Sequence, residues 1–193
     1  NDAALRYRYD GVAGFDIAGP EKGYPPSRFL ESFQLLRRHS AYYTIHAGEA
    51  DGCESVCEAV LVCGANRVGH GVAIIEDIKQ DEDGRAVLGD FAGYVLNEQI
   101  PLEMCPSSNV QTGAVASIQT HPIQSLDRFG FRVTVNPDNR LMSATTLTRE
   151  FALLAEAFDY ALEDVRRLGI NAAKSVFAPY EVRKELVARL AMA

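Results

Sequence analysis

Basic residues are in the minority: 19 Lys and Arg stand against 26 Asp and Glu, a formal charge of −7 over 193 residues. A protein that grips a phosphate backbone carries a basic excess, so no nucleic acid is expected as a partner. Long apolar runs are missing as well. None approaches the roughly 18 residues that a membrane-spanning helix requires. The opening Asn1-Asp2-Ala3-Ala4-Leu5-Arg6 has no apolar core of a secretory signal. No membrane partner is expected, and the cytoplasm is the expected compartment. Cysteine is scarce, with Cys53, Cys57, Cys63 and Cys105 alone. Their spacing gives neither a disulfide framework nor the paired C-x-x-C of a zinc ribbon, so they read as small core residues in a reducing compartment. No low-complexity stretch or linker interrupts the chain, and a single domain over 1–193 is expected.

What is present is a soluble balance of 47% hydrophobic and 23% charged residues, arranged as strand, turn and amphipathic helix in repetition. Short apolar runs at 11–17, 42–46, 67–70, 100–105 and 131–136 lack in/out alternation, as strands buried on both faces of a parallel sheet do. Their centres Phe15, Ile45, Val68, Leu102 and Val133 lie 23 to 34 residues apart, the length of a βα unit. Between them, Phe29, Phe33 and Leu36 share a helical face, and Ser55 with Glu58 reads as a capping box opening the next helix. Leu88, Phe91 and Val95 mark a third helix, and Pro122 starts another. Leu147 to Phe158, 162–168 and 180–193 follow as helices. The polar stretch 78–85, with Asp81-Glu82-Asp83-Gly84, reads as a solvated loop. Five βα units in series suggest a parallel α/β fold, either an open sheet or part of a (β/α)8 barrel.

The informative polar residues follow the strands: Asp16 and Gly19, His46 and Glu49, His70, Cys105 and Asn109, then Asp138 and Asn139. Parallel α/β folds place their sites at these carboxyl ends. In His46-Ala47-Gly48-Glu49 a strand-end imidazole suits zinc, and a carboxyl after a glycine turn suits proton transfer. Each has a bland alternative: a capped turn for His46, a carbonyl-bonded histidine for His70, an Asx turn for Asn136-Pro137-Asp138-Asn139. Two histidines, a glutamate and an aspartate together make zinc-assisted hydrolysis the leading chemistry. His39, at a helix end, and His121, before Pro122, read as exposed.

The ordered segments Gly14-Phe15-Asp16-Ile17-Ala18-Gly19, Thr44-Ile45-His46-Ala47-Gly48-Glu49, Arg67-Val68-Gly69-His70-Gly71, Leu102-Glu103-Met104-Cys105-Pro106-Ser107-Ser108-Asn109 and Val135-Asn136-Pro137-Asp138 resemble the signatures of the adenosine deaminase family, closest to its bacterial type. The resemblance implies α/β architecture, the C-terminal five βα units of a (β/α)8 TIM barrel, with a zinc-dependent hydrolase activity on the 6-amino group of adenosine or deoxyadenosine in purine salvage. It implies one zinc ion per complete active site, with His46 and Asp138 as ligands. Glu49 would protonate the purine N1, His70 would orient the attacking water, and Gly19 and Asn139 would contact the purine nucleoside. A modified adenine nucleoside such as aminofutalosine is the alternative substrate, and a catalytically incomplete purine-binding module the alternative role.

Two positions depart from the family pattern: Asn139 stands where a second aspartate is common, and Pro137 where threonine is usual. The His-x-His pair of the family's first strand occurs nowhere in the chain. The chain alone is therefore expected to be inactive. The N-terminal half of the barrel, from the same gene or a separate chain, is the expected partner.

Overall fold

The computed structural model describes residues 2–8 and 10–192; Asn1, Tyr9 and Ala193 lie outside the described residues. Two compact units divide the chain, Asn1–Ile100 and Pro101–Ala193.

In the first unit a short helix α1 (Asp2–Arg6) precedes β1 (Phe15–Ile17). After Pro25, a 3-10 turn over Pro26–Phe29 runs into α2 (Leu30–Arg38). Then come β2 (Tyr43–Ala47), α3 (Cys53–Cys57) and β3 (Arg67–His70). All three strands are parallel, with β2 in the middle; Ile17 pairs with Ile45, and Ala47 with His70. Every β2 residue except His46 is buried, which explains why its sequence is a near-continuous apolar run. The helices cover it with Phe33 and Leu36 from α2 and Val56 from α3, all at most 1% exposed. Each such side chain contributes roughly 1.5–3 kcal/mol by leaving water. The Phe33 ring stacks on Tyr43 at 5.2 Å, and the Tyr43 hydroxyl donates to the Cys63 carbonyl at 2.7 Å.

Two local expectations fail here. Ser55 is not a helix cap. Gly52 holds that place in α3, whose first amide, Cys53, donates to Glu76 Oε2 at 2.9 Å, while the Ser55 hydroxyl turns to the Glu21 carboxylate. Past α3 the chain widens into a π turn over Glu58–Val62. The expected loop over 78–85 is instead part of an antiparallel hairpin, β4 (Ile78–Gln80) with β5 (Ala86–Leu88). Asp81 Oδ1 accepts from the Asp83 and Arg85 amides and Gly84 adopts φ 76°, closing the tight turn. The polar tip reads as loop by composition, and its order comes from the Asp81 carboxylate together with backbone bonds across the turn. The unit ends in α4 (Asp90–Glu98), whose Ala92 amide is capped by Asp77 at 2.8 Å.

The second unit carries β6 (Leu102–Met104), α5 (Pro106–Gln111), α6 (Ile123–Arg128) and β7 (Val133–Val135). It closes with α7 (Leu147–Phe158), α8 (Leu162–Ser175) and α9 (Tyr180–Met192). Strands β6 and β7 are parallel, Leu102 opposite Val133 and Met104 opposite Val135. Helix α5 begins at Pro106, where the missing amide hydrogen costs nothing. Thr146 caps α7 by accepting from the Arg149 amide. Leu102, Met104, Ile123, Leu126, Val133 and Leu154 are fully buried. Buried Asp127 accepts from the Tyr160 hydroxyl at 3.0 Å and from the guanidinium of Arg167, tying α6 to α8.

All four cysteines are free thiols. Burial, with Asp77 and Glu76 nearby, pushes the Cys53 thiol up to about 11, and burial does the same for Cys63. Both stay protonated at neutral pH. Cys63 and Cys105 are buried as expected of core residues, whereas Cys53 and Cys57 are only partly buried. No helix among the described residues is long and apolar enough to cross a membrane.

Candidate active site

Strands β2 and β3 end side by side, and their last residues carry the polar groups. His46 faces Gly69 across the register, and His70 lies opposite Ala47. The two imidazoles meet edge to face with ring centres 4.9 Å apart. His70 is almost wholly buried and stands with Nε2 3.5 Å from Oε2 of Glu49. His46, more open, has Nε2 3.4 Å from Oδ2 of Asp16 on β1. His70 and Gly71 both adopt positive φ, 63° and 68°. For a non-glycine residue such as His70 this conformation costs about 1 kcal/mol or more, and it accompanies the turn that buries the imidazole.

Beyond β1 the chain forms the wall of a cavity of about 250 Å³ lined by Ile17, Gly19, Glu21, Tyr24, Phe29 and His46. That lining of aromatic and aliphatic groups with a few polar ones is the make-up of a small-molecule pocket. The sequence-predicted Gly19, His46, Glu49 and His70 thus gather in the first unit. Glu21 does too, although its importance was not foreseen. Its carboxylate accepts from the amides of Gly48, Glu49 and Ala50 and from the Ser55 hydroxyl. The one available signal was its place two residues beyond Gly19.

In the second unit, Asp138 follows β7 with φ 53°, and its Oδ2 accepts from the Ser108 hydroxyl at 2.7 Å. Asn139 uses its side-chain oxygen to accept from the Met142 amide at 3.1 Å. This local turn is the one that Asn-Pro-Asp-Asn favours. Below them Asn109 Oδ1 accepts from the Cys105 amide at 3.1 Å and meets His121 Nε2 at 3.2 Å. His121 is 3% exposed, which corrects the expectation of a surface residue. Its Nδ1 accepts from the Ile123 amide, so the ring folds back into the protein. Burial pushes its pKa down to about 4. Buried Glu150 accepts from the Ser107 amide at 2.9 Å and from the Thr145 hydroxyl, fixing the start of α5. His39, by contrast, is exposed as expected.

As donors, an imidazole and a carboxylate suit zinc, which describes His46 and Asp138 by type. By number they fall short of the three protein ligands of a catalytic site. Among the described residues no three His, Cys, Asp or Glu side chains stand together so as to hold a metal ion.

Comparison with known proteins matches all of residues 1–193 to the family model for adenosine deaminase. The adenosine deaminase of Mycolicibacterium vanbaalenii is 54% identical over 186 residues, covering 96% of this chain and 51% of that protein. Adenosine deaminase 1 of Streptomyces coelicolor is also 54% identical, over 96% of this chain and 47% of that protein. The chain therefore spans about half the length of the curated relatives it matches. Among solved structures, the adenine deaminase of Arthrobacter aurescens superposes with a TM-score of 0.83 at 26% identity, covering 99% of this chain and 57% of that one. An Arabidopsis protein solved with IMP gives 0.81 at 25% identity over 100% and 52%. The fold is thus α/β, part of the (β/α)8 barrel expected from the sequence.

Proposed function

The chain belongs to the adenosine deaminase family, and we infer that it forms part of an enzyme that removes the 6-amino group of a purine nucleoside by adding water. Adenosine and deoxyadenosine are the substrates of this reading, inosine or deoxyinosine and ammonia its products, and purine salvage in the cytoplasm its setting. The observation that carries it is the pairing of Glu49 with His70 at 3.5 Å beside the cavity that Gly19 and His46 line.

In this reading His46 and Asp138 hold zinc together with ligands from the N-terminal half of the barrel. That half is supplied by the same gene or by a separate chain. Zinc, when bound, lowers the pKa of a coordinated water from about 15.7 to about 7. Glu49 delivers a proton to purine N1 while oxygen adds at C6. A carboxyl group partly shielded from water, 23% exposed, suits this transfer. His70, held by Glu49 on one side and by burial on the other, orients the attacking water and stabilises the charge that develops on it. In the same reading Gly19 offers its backbone to the purine ring, and Asn139 adds an amide contact.

The test is ammonia release from adenosine by the assembled protein, the chain together with the remainder of its barrel. Glu49→Ala is expected to abolish turnover while zinc content stays nearly unchanged. Appreciable deamination by that variant would remove Glu49 from the role, and an inactive wild type would remove the reading.

A further inference from the structure

Three consecutive backbone amides, Gly48, Glu49 and Ala50, point at one carboxylate, that of Glu21. Such a convergence of N–H groups makes a concave anion nest, and bonds from amides to a charged acceptor are about twice as strong as neutral ones. The nest is not a helix cap: the first amide of α3, Cys53, is satisfied by Glu76. What the carboxylate holds is the turn before the helix, and the middle residue of that turn is Glu49.

The turn is tightly constrained. Gly48 adopts φ 72°, and a Cβ there would stand 2.4 Å from Cγ2 of Val56, so the backbone lies directly against α3. The Ser55 hydroxyl, from α3 itself, donates to the same carboxylate at 2.5 Å. With its Cα fixed in this way, Glu49 reaches Oε2 to within 3.5 Å of His70 Nε2. Glu21 belongs to the loop that also supplies Gly19, and both residues line the cavity beside His46. One loop therefore forms the cavity wall and holds the turn that carries the acid.

We propose that Glu21 is a positioning residue for Glu49, acting through the backbone of 48–50 to aim the carboxyl group at the reacting ring. The proposal rests on the deaminase reading for its catalytic consequence. Its structural half, the carboxylate's grip on the turn, is independent of that reading.

Two variants in the assembled protein test it. Glu21→Ala is expected to lower kcat on adenosine by about 10- to 100-fold, the cost of a misplaced catalytic group. The loss should fall mainly on kcat, with KM changing by a smaller factor as one residue of the cavity wall is shortened, and zinc content should be unchanged. Glu21→Gln keeps the shape and one acceptor oxygen and should recover part of kcat. A kcat within twofold of wild type in Glu21→Ala overturns the proposal. So does a parallel fall of kcat, KM performance and thermal midpoint that Glu21→Gln does not relieve, since that is a purely structural role. Amide exchange supplies the second arm. The Gly48, Glu49 and Ala50 amides should be protected in wild type and exchange at least tenfold faster in Glu21→Ala. Unchanged exchange overturns the grip itself. An inactive wild type in which exchange still responds to Glu21 would instead discard the deaminase reading and leave the grip standing.

Discussion

No side chain can be added at Gly69 without moving His46: a Cβ there would stand 2.6 Å from the imidazole Cδ2 and 2.8 Å from Cγ. The two residues face each other across β2 and β3, so the missing side chain is what gives the ring its place between Asp16 and His70. Overpacking of this kind costs about 1–3 kcal/mol. Gly69→Ala is therefore expected to lower the denaturation midpoint and to shift the ring-proton resonances of His46. In the assembled protein zinc content should drop. Wild-type stability with unmoved His46 resonances would contradict the close approach.

Strands β2, β3, β6 and β7 were legible because most of their residues are buried, whereas the half-exposed β1 showed mainly through its place in the series. Ile45 and Val68 are at most 1% exposed, and a strand buried on both sides must be written in apolar letters. His46, Glu49 and His70 stood out for the same reason, as polar groups at the ends of apolar runs. Residues that act through the backbone left no such mark. The Ser55 and Glu58 pattern satisfied a local rule, yet the Ser55 hydroxyl bonds Glu21, 34 positions away. His121 precedes a proline at a helix start, a place that is commonly exposed, and it is buried because Asn109, 12 residues earlier, supplies a partner for its ring. Long-range hydrogen bonding decides both cases, and nearest-neighbour patterns do not encode it.

Ser108 was visible only as part of a motif, whereas the structure gives it a task. Its hydroxyl donates to Asp138 Oδ2 at 2.7 Å, leaving the other carboxylate oxygen for a further partner. In the proposed function, where Asp138 is a zinc ligand, a group that orients it in this way is worth about 10- to 100-fold in metal affinity. Ser108→Ala is expected to weaken zinc binding by the assembled protein to that extent, measured against a competing chelator. Water can replace the hydroxyl at the exposed Asp138, so the unfolding free energy should change by no more than about 1 kcal/mol. Unaltered zinc affinity would show that Asp138 needs no such orientation.

His121 should make the stability of this chain depend on pH in a window set by its own titration. The ring is neutral in the fold: Nδ1 accepts from the Ile123 amide at 3.0 Å and Nε2 faces Asn109 Oδ1 at 3.2 Å. A proton added at Nδ1 would oppose that amide, and burial already holds the pKa near 4 against 6.5 in the unfolded chain. Between those values the unfolded state binds a proton that the folded state refuses, so stability rises with pH across the interval. The contribution is fully present above about 6.5 and is lost as pH falls through about 4. Its size is on the order of 3 kcal/mol. His121→Gln keeps a donor and an acceptor but cannot titrate. The variant should be less stable than wild type at neutral pH and show a shallower decline on acidification, so that the two denaturation midpoints converge toward pH 4. Parallel curves over that range would mean that the unfolded and folded states protonate His121 alike, and would overturn the prediction.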